Sequence, residues 1–141
     1  MRDPDSSHYN LFNRQRRHPV DTAALRRLIP RMVDDIGLTA PSFSVVFITD
    51  AAMRSYNRTY RGMDKPTDVL SFSGDGDELG DILISTETAY RQAAASRALD
   101  FDANIARLVL HGLLHLAGYD HETDQGEMRA IERRLRRRYR C

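Results

Sequence analysis

The chain has 141 residues, 41% of them apolar, which is enough for one compact core and argues against intrinsic disorder. Twenty-one basic side chains against twenty acidic ones give a formal charge of +1, which disfavours a uniformly basic, histone-like binder of nucleic acid. Cys141 is the only cysteine, which excludes an intrachain disulfide or a thiolate-rich zinc knuckle.

In chain order, residues 1–7 are expected to fray. Residues 1–17 hold Asp3 and Asp5 and no apolar stretch, so they read neither as a secretory signal nor as a mitochondrial presequence. No apolar run approaches the ~20 residues of a membrane span. With the lone cysteine, the expected setting is the cytoplasm, away from membranes. His8 to Gln15 is read as a short edge strand. Asp21 caps a helix that carries Leu25, Leu28, Ile29, Met32 and Ile36 on one face, is kinked at Pro30 and stops at Gly37. Phe43 to Thr49 is β-branched and aromatic, the composition of a buried strand. Asp50 is expected to cap a helix through Tyr60.

Val69–Phe72 and Ile82–Ser85 are short strands around a loop or hairpin turn marked by Gly74, Asp75, Gly76, Asp77 and Glu78. Ser85 opens a helix through about Ala98, and Asp100 another through about Ala117, with Gly118 at the left-handed stop. A last helix from about Thr123 to Tyr139 aligns Met128, Ile131, Leu135 and Tyr139. The sum is one mixed α/β domain over 1–141, a small mixed sheet of about four strands covered by helices. Tyr9, Phe12, Tyr56, Tyr60 and Tyr90 are read as core positions rather than as base-stacking platforms.

Three of the five histidines fall in HGLLHLAGYDH, residues 111–121. His111 and His115, four apart on a helix, share a face and can share an ion. A pair alone is as well explained by a packed or solvated face. The third histidine, just past a glycine stop, shifts the balance to a three-imidazole site with one open position, as in catalytic zinc centres. The spacing matches the ligands of the metzincin protease pattern H-E-x-x-H-x-x-G-x-x-H, but Gly112 stands where the proteases place the glutamate that accepts a proton from water. A standard zinc protease is therefore disfavoured. Asp120, Asp68, Asp81 or the substrate itself remains to serve as base, with Asp120 equally readable as a turn residue.

At this point HGLLHLAGYDH resembles the signature of the YbeY family, bacterial endoribonucleases of ribosomal RNA maturation. TYRGMDKPTDVLSF (59–72) and LGDILIS (79–85) are similar to two further family motifs in the family's order, and FNRQ (12–15) is a weaker echo. The resemblance implies a compact α/β fold with one zinc or other divalent ion on His111, His115 and His121. It also implies that Arg61 lines the cleft and acts on the RNA phosphate, and that the enzyme serves 16S ribosomal RNA 3′-end processing and ribosome quality control. Single-stranded RNA, the small ribosomal subunit and assembly factors are the partners it implies. Two departures, Ser73 in place of the family's usual proline and a short loop at 74–78, lie away from these residues.

Phosphodiester chemistry stands on its own grounds as well. Cleavage concentrates charge on non-bridging phosphate oxygens, which a metal and a planar guanidinium both stabilise. Taken without the resemblance, Arg61 reads first as a solvated loop arginine. Two other functions remain open at this stage: a non-catalytic RNA-binding assembly factor with a structural metal, and a peptide-cleaving metallohydrolase. Residues 129–141 hold seven arginines and one acid, Glu132, for +6, so residues 1–128 carry −5. Arg133, Arg136, Arg137 and Arg140 in this basic helix end are candidate RNA contacts, against the reading of a solvated face complementing the helix dipole.

Overall fold

Continuous apolar, β-branched runs build the central strands and helical spacing builds what covers them. The structure, a computed structural model, describes residues 9–38, 42–120 and 122–141. Its elements are β1 (Tyr9–Asn13), α1 (Thr22–Ile36), β2 (Ser42–Ile48), α2 (Asp50–Arg61), β3 (Val69–Ser73), β4 (Glu78–Ser85), α3 (Thr86–Ala95), α4 (Phe101–Leu116) and α5 (Glu127–Tyr139). The sheet is mixed and four-stranded in the order β1-β2-β4-β3, with β1 and β4 parallel to β2 and β3 antiparallel to β4. The expected α/β class and edge position of β1 are both found. Residues 1–7, expected to fray, and His8 lie outside the described residues.

The central strands are apolar on both faces. Phe43, Val45 and Phe47 of β2 and Ile82 and Ile84 of β4 face α1, α4 and α5, forming the main core with Ile29, Met32, Leu110, Leu113, Leu114 and Leu135. Val46, Ile48 and Leu83 face the other way, into a smaller core with Met53 of α2 and Leu70 of β3. α4 carries ten buried residues, so it is the internal helix against which α1, α3 and α5 pack.

Several boundaries move for local reasons. α1 runs on through Pro30 as one element. Thr49, not Asp50, caps α2: its Oγ1 accepts the Ala52 N–H at 3.2 Å. The Asp50 carboxylate instead reaches across to α3, accepting from Ser85 and Thr88 hydroxyls at 2.6 Å each and from Arg91 at 2.7 Å. α3 stops at Ala95 because the Ser96 hydroxyl turns the chain, accepting from the Ala98 and Leu99 N–H groups. α5 starts at Glu127 rather than Thr123, since Asp124 accepts from Gly126 and Met128 and Gly126 is left-handed. β3 and β4 extend to Ser73 and back to Glu78 around a tight hairpin. Within it Gly80 sits at φ 143°, where an added Cβ would lie 2.0 Å from the Phe72 carbonyl. Gln15, buried at the end of the FNRQ segment, pins the turn after β1 by donating to Asn13 Oδ1 and the His18 carbonyl. Of the aromatics expected in the core, Phe12, Tyr60 and Tyr90 are exposed instead: a five-residue edge strand and a one-sided helix cannot bury every ring.

α4 packs tightly on the sheet at Gly112, where a Cβ would meet Ile82 Cγ2 at 2.6 Å. Ile82 is fully buried and its Cγ2 is fixed by a β-branched χ1, so it cannot yield cheaply. Gly112→Ala is therefore expected to cost about 1–3 kcal/mol despite the better helix propensity of alanine, lowering the thermal midpoint by several degrees in calorimetry. A midpoint at or above that of wild type would contradict the close approach.

Partial burial would raise the Asp50 carboxyl, but hydrogen bonds from Ser85, Thr88 and Arg91 and the charge of Arg91 outweigh it and hold the group below the ordinary carboxylate range. A depressed folded-state value means that the stabilisation is complete above the unfolded value, near pH 4, and is lost as pH falls through the folded one. The stability gap between wild type and Asp50→Asn should thus be full at neutral pH and shrink progressively below about pH 4 in urea titrations. A gap that does not vary with pH would refute this linkage.

Candidate active site

Arg61 ends α2 because Gly62 follows in the left-handed conformation, its N–H bonded to the Arg58 carbonyl. The next residues are tied back to the helix. Buried Asn57 donates to the Lys65 carbonyl at 2.8 Å, and Arg54 clamps Asp64 through two nitrogens at 2.8 and 3.0 Å. The Arg61 side chain is exposed and makes no ion pair among the described residues. It borders a cleft of ≈ 610 Å³ together with the edge strand β3, His111, His115 and Asp120.

His111 and His115 project from the last turns of α4, which terminates at Ala117 before left-handed Gly118. Their rings stand edge to face with centroids 4.6 Å apart, and the two Nε2 atoms face each other at 3.1 Å. His111 Nδ1 lies 2.9 Å from Glu132 Oε2 on α5. Burial alone would raise that carboxyl. The hydrogen bond from His111, its charge and those of Arg136 and Arg107 override burial and hold Glu132 below the usual range. In its neutral form His111 would donate from Nδ1 to this carboxylate, which turns its Nε2 lone pair toward His115. His121 lies outside the described residues.

This pair fits a shared ion. Two ligands of a tetrahedral zinc at about 2.0–2.1 Å stand roughly 3.3 Å apart, close to the separation found, and an imidazole held through Nδ1 by a carboxylate is the usual supporting partner of such a ligand. Glu132 carries no local spacing signal, being 21 residues from His111. Its one mark in the sequence is that it is the single acid among seven arginines.

The three carboxylates considered as bases separate. Asp81 is on the opposite side of the sheet and does not border the cleft. Asp68 does, but Oδ1 accepts from the Val69 N–H at 2.8 Å and Oδ2 from Gln92 at 3.0 Å. Gln92 in turn accepts from buried Asn104, so Asp68 belongs to a bracket joining β3, α3 and α4. Asp120 borders the cleft; its Oδ1 accepts the Glu122 N–H at 2.9 Å in a turn, while Oδ2 has no partner among the described residues. Gly112 points at Ile82 rather than into the cleft, so a glutamate there would have no space.

The arginines of α5 divide as well. Arg138 pairs with Asp35 at 3.2 Å, beside the hydrogen bond from Tyr139 to the same carboxylate. Arg133, Arg136, Arg137 and Arg140 line a separate groove of ≈ 590 Å³ together with Arg129, facing Ala98 and Leu99. Glu132 also borders that groove, so it stands between the arginines and His111. No helix among the described residues is long and apolar enough to cross a membrane.

The chain resembles known proteins in both sequence and fold. A solution structure from Thermotoga maritima superposes with a TM-score of 0.60 over 94% of this chain and 91% of that one, at 23% identity, which speaks to the fold. Endoribonuclease YbeY of Geobacter sulfurreducens is 40% identical over 135 residues, 89% of each chain. That of Wolinella succinogenes is 44% identical over 105 residues, 72% of this chain and 74% of its own. The family model described as Endoribonuclease YbeY matches residues 10–140, a span that takes in Arg61, the histidine segment and the basic helix, and the chain accordingly belongs to the YbeY endoribonucleases.

Proposed function

We propose that this endoribonuclease is metal-dependent and cuts single-stranded RNA in the cleft between Arg61 and the histidines. The observation that carries this reading is the pair of facing imidazole nitrogens, 3.1 Å apart, in the same cleft as an arginine with no ion-pair partner among the described residues. His111, His115 and His121 would hold one zinc or other divalent ion, which supplies Lewis acidity for a phosphoryl oxygen or for water.

The chain's own residues do the rest. Arg61 presents a planar, permanently charged fork to the non-bridging oxygens, and the charge gained in the transition state strengthens that contact more than the ground-state one. Glu132 orients His111. Asp120 offers a carboxylate oxygen at the cleft wall to take a proton. The arginine groove of α5 gives the flanking RNA backbone a second place to bind. Processing of 16S ribosomal RNA at its 3′ end, ribosome quality control, and work with the small subunit and its assembly factors in the cytoplasm are the roles that the family resemblance adds.

Purified protein should cleave single-stranded RNA, with His115→Ala and Arg61→Ala each slower by about 10²–10³-fold. Equal cleavage by all three would mark the activity as contamination and end the proposal. Cleavage undetectable with every divalent metal tried, alongside intact RNA binding, would assign the fold to an assembly factor.

Truncating the basic end is not a clean test, because Leu135 and Cys141 are buried. Substituting Arg133, Arg137 and Arg140 by Gln keeps the helix. The log–log salt dependence of RNA binding should then become shallower by about 2, roughly 0.7 for each lost phosphate contact. An unchanged slope would return these side chains to a solvated face.

A further inference from the structure

Among the described residues, the sheet face opposite α4 is only partly covered. α2 lies across one end of it, and beside that helix runs a trough of ≈ 420 Å³ walled by Tyr56 and Tyr60, by Phe72 of β3, and by Phe12 and Arg14 on the β1 side. Two of its rings are among the most exposed large hydrophobics of the described residues, Tyr60 at 64% and Phe12 at 42%. They are held in place by neighbours. Tyr60 stacks along Tyr56 at 6.2 Å and takes Phe72 edge-on at 5.1 Å, while the Arg14 guanidinium sits 5.7 Å from the centre of Phe12.

The trough adjoins the cleft. Phe72 borders both, and the residue after Tyr60 is Arg61. Fixed aromatic faces, the Arg14 guanidinium in the wall, Arg61 in the adjoining cleft and an exposed carboxylate in the lining, Asp81, make a defined chemistry. Aromatic faces accept any unstacked base, and Arg14 and Arg61 answer the phosphates on either side of it. The Asp81 carboxylate repels phosphate and accepts N–H groups, so it admits a base edge and not the backbone. A paired, stacked duplex presents no free base face to such a trough.

We propose that this trough is a base-binding shelf that takes one or two unstacked nucleobases, preferring those with an exocyclic amine over uracil, from the strand whose scissile phosphate lies in the cleft. The proposal rests on the endoribonuclease reading of that cleft and supplies a physical origin for single-strand selectivity.

The test uses full-length protein and a short single-stranded oligoribonucleotide with 2-aminopurine at successive positions, its fluorescence read on mixing, before cleavage. Wild type should quench one or two adjacent positions. Tyr60→Ala and Phe12→Ala should lose most of that quench and bind about 5- to 100-fold more weakly, while Tyr60→Phe keeps both. Asp81→Asn should reduce the preference for amino-bearing bases over an all-uracil strand. Both rings are exposed, and unchanged circular dichroism and thermal midpoints will show that the variants fold. Quench and affinity equal to wild type in folded Tyr60→Ala and Phe12→Ala would overturn the shelf, as would quenching of a duplex as strong as that of a single strand. If wild type cleaves RNA and these variants behave as wild type, only the shelf fails. If wild type cleaves nothing yet the quench depends on Tyr60 and Phe12, the shelf stands and the nuclease reading fails.

Discussion

The contact on which the site depends is the one between α4 and β4 at Gly112. A helix carrying side chains on every face would stand off the sheet. The missing Cβ lets α4 settle onto Ile82, and this seats His111 and His115 beside the free edge of β3. The same glycine explains why the chain matches a protease ligand pattern without its acid. The position after the first histidine is a packing position here, turned toward the core, so no side chain reaches the cleft from it.

Charge is distributed so that one carboxylate stands where two regions meet. The body of the chain is acidic and the end of α5 strongly basic. Glu132 sits in the basic helix yet bonds to His111, and it also borders the arginine groove. A shift of α5 would therefore change both the orientation of an imidazole and the disposition of the arginines. That helix is held to α1 through Tyr139 and Arg138 on Asp35, and to the core through Met128 and Leu135.

Much of this was legible in the residues, and the exceptions share a cause. The buried strands, the left-handed stop at Gly118 and the placement of both histidines on one helix face follow from periodicity and glycine, which act locally. Asp50 was misjudged because a capping residue and a residue one step inside the helix look alike, and the partners that draw its carboxylate away are 35 to 41 residues distant. Glu132 and the bracket around Asp68 escaped for the same reason. Phe12 and Tyr60 read as core because aromatic residues usually are; their exposure depends on how much of the sheet α2 covers, which no local pattern states.

The outer edge of β3 has a further consequence. A strand with unpaired backbone groups along one side is the common starting point for sheet-to-sheet association between molecules. In this fold that edge is the wall of the cleft, with Arg61, Asp68 and the two histidines beside it. Charged side chains along a sheet edge disfavour pairing with a second strand, and Arg61 and Asp68 stand in that position here. A substitution that neutralises the cleft would therefore also leave this sheet edge less guarded against strand pairing.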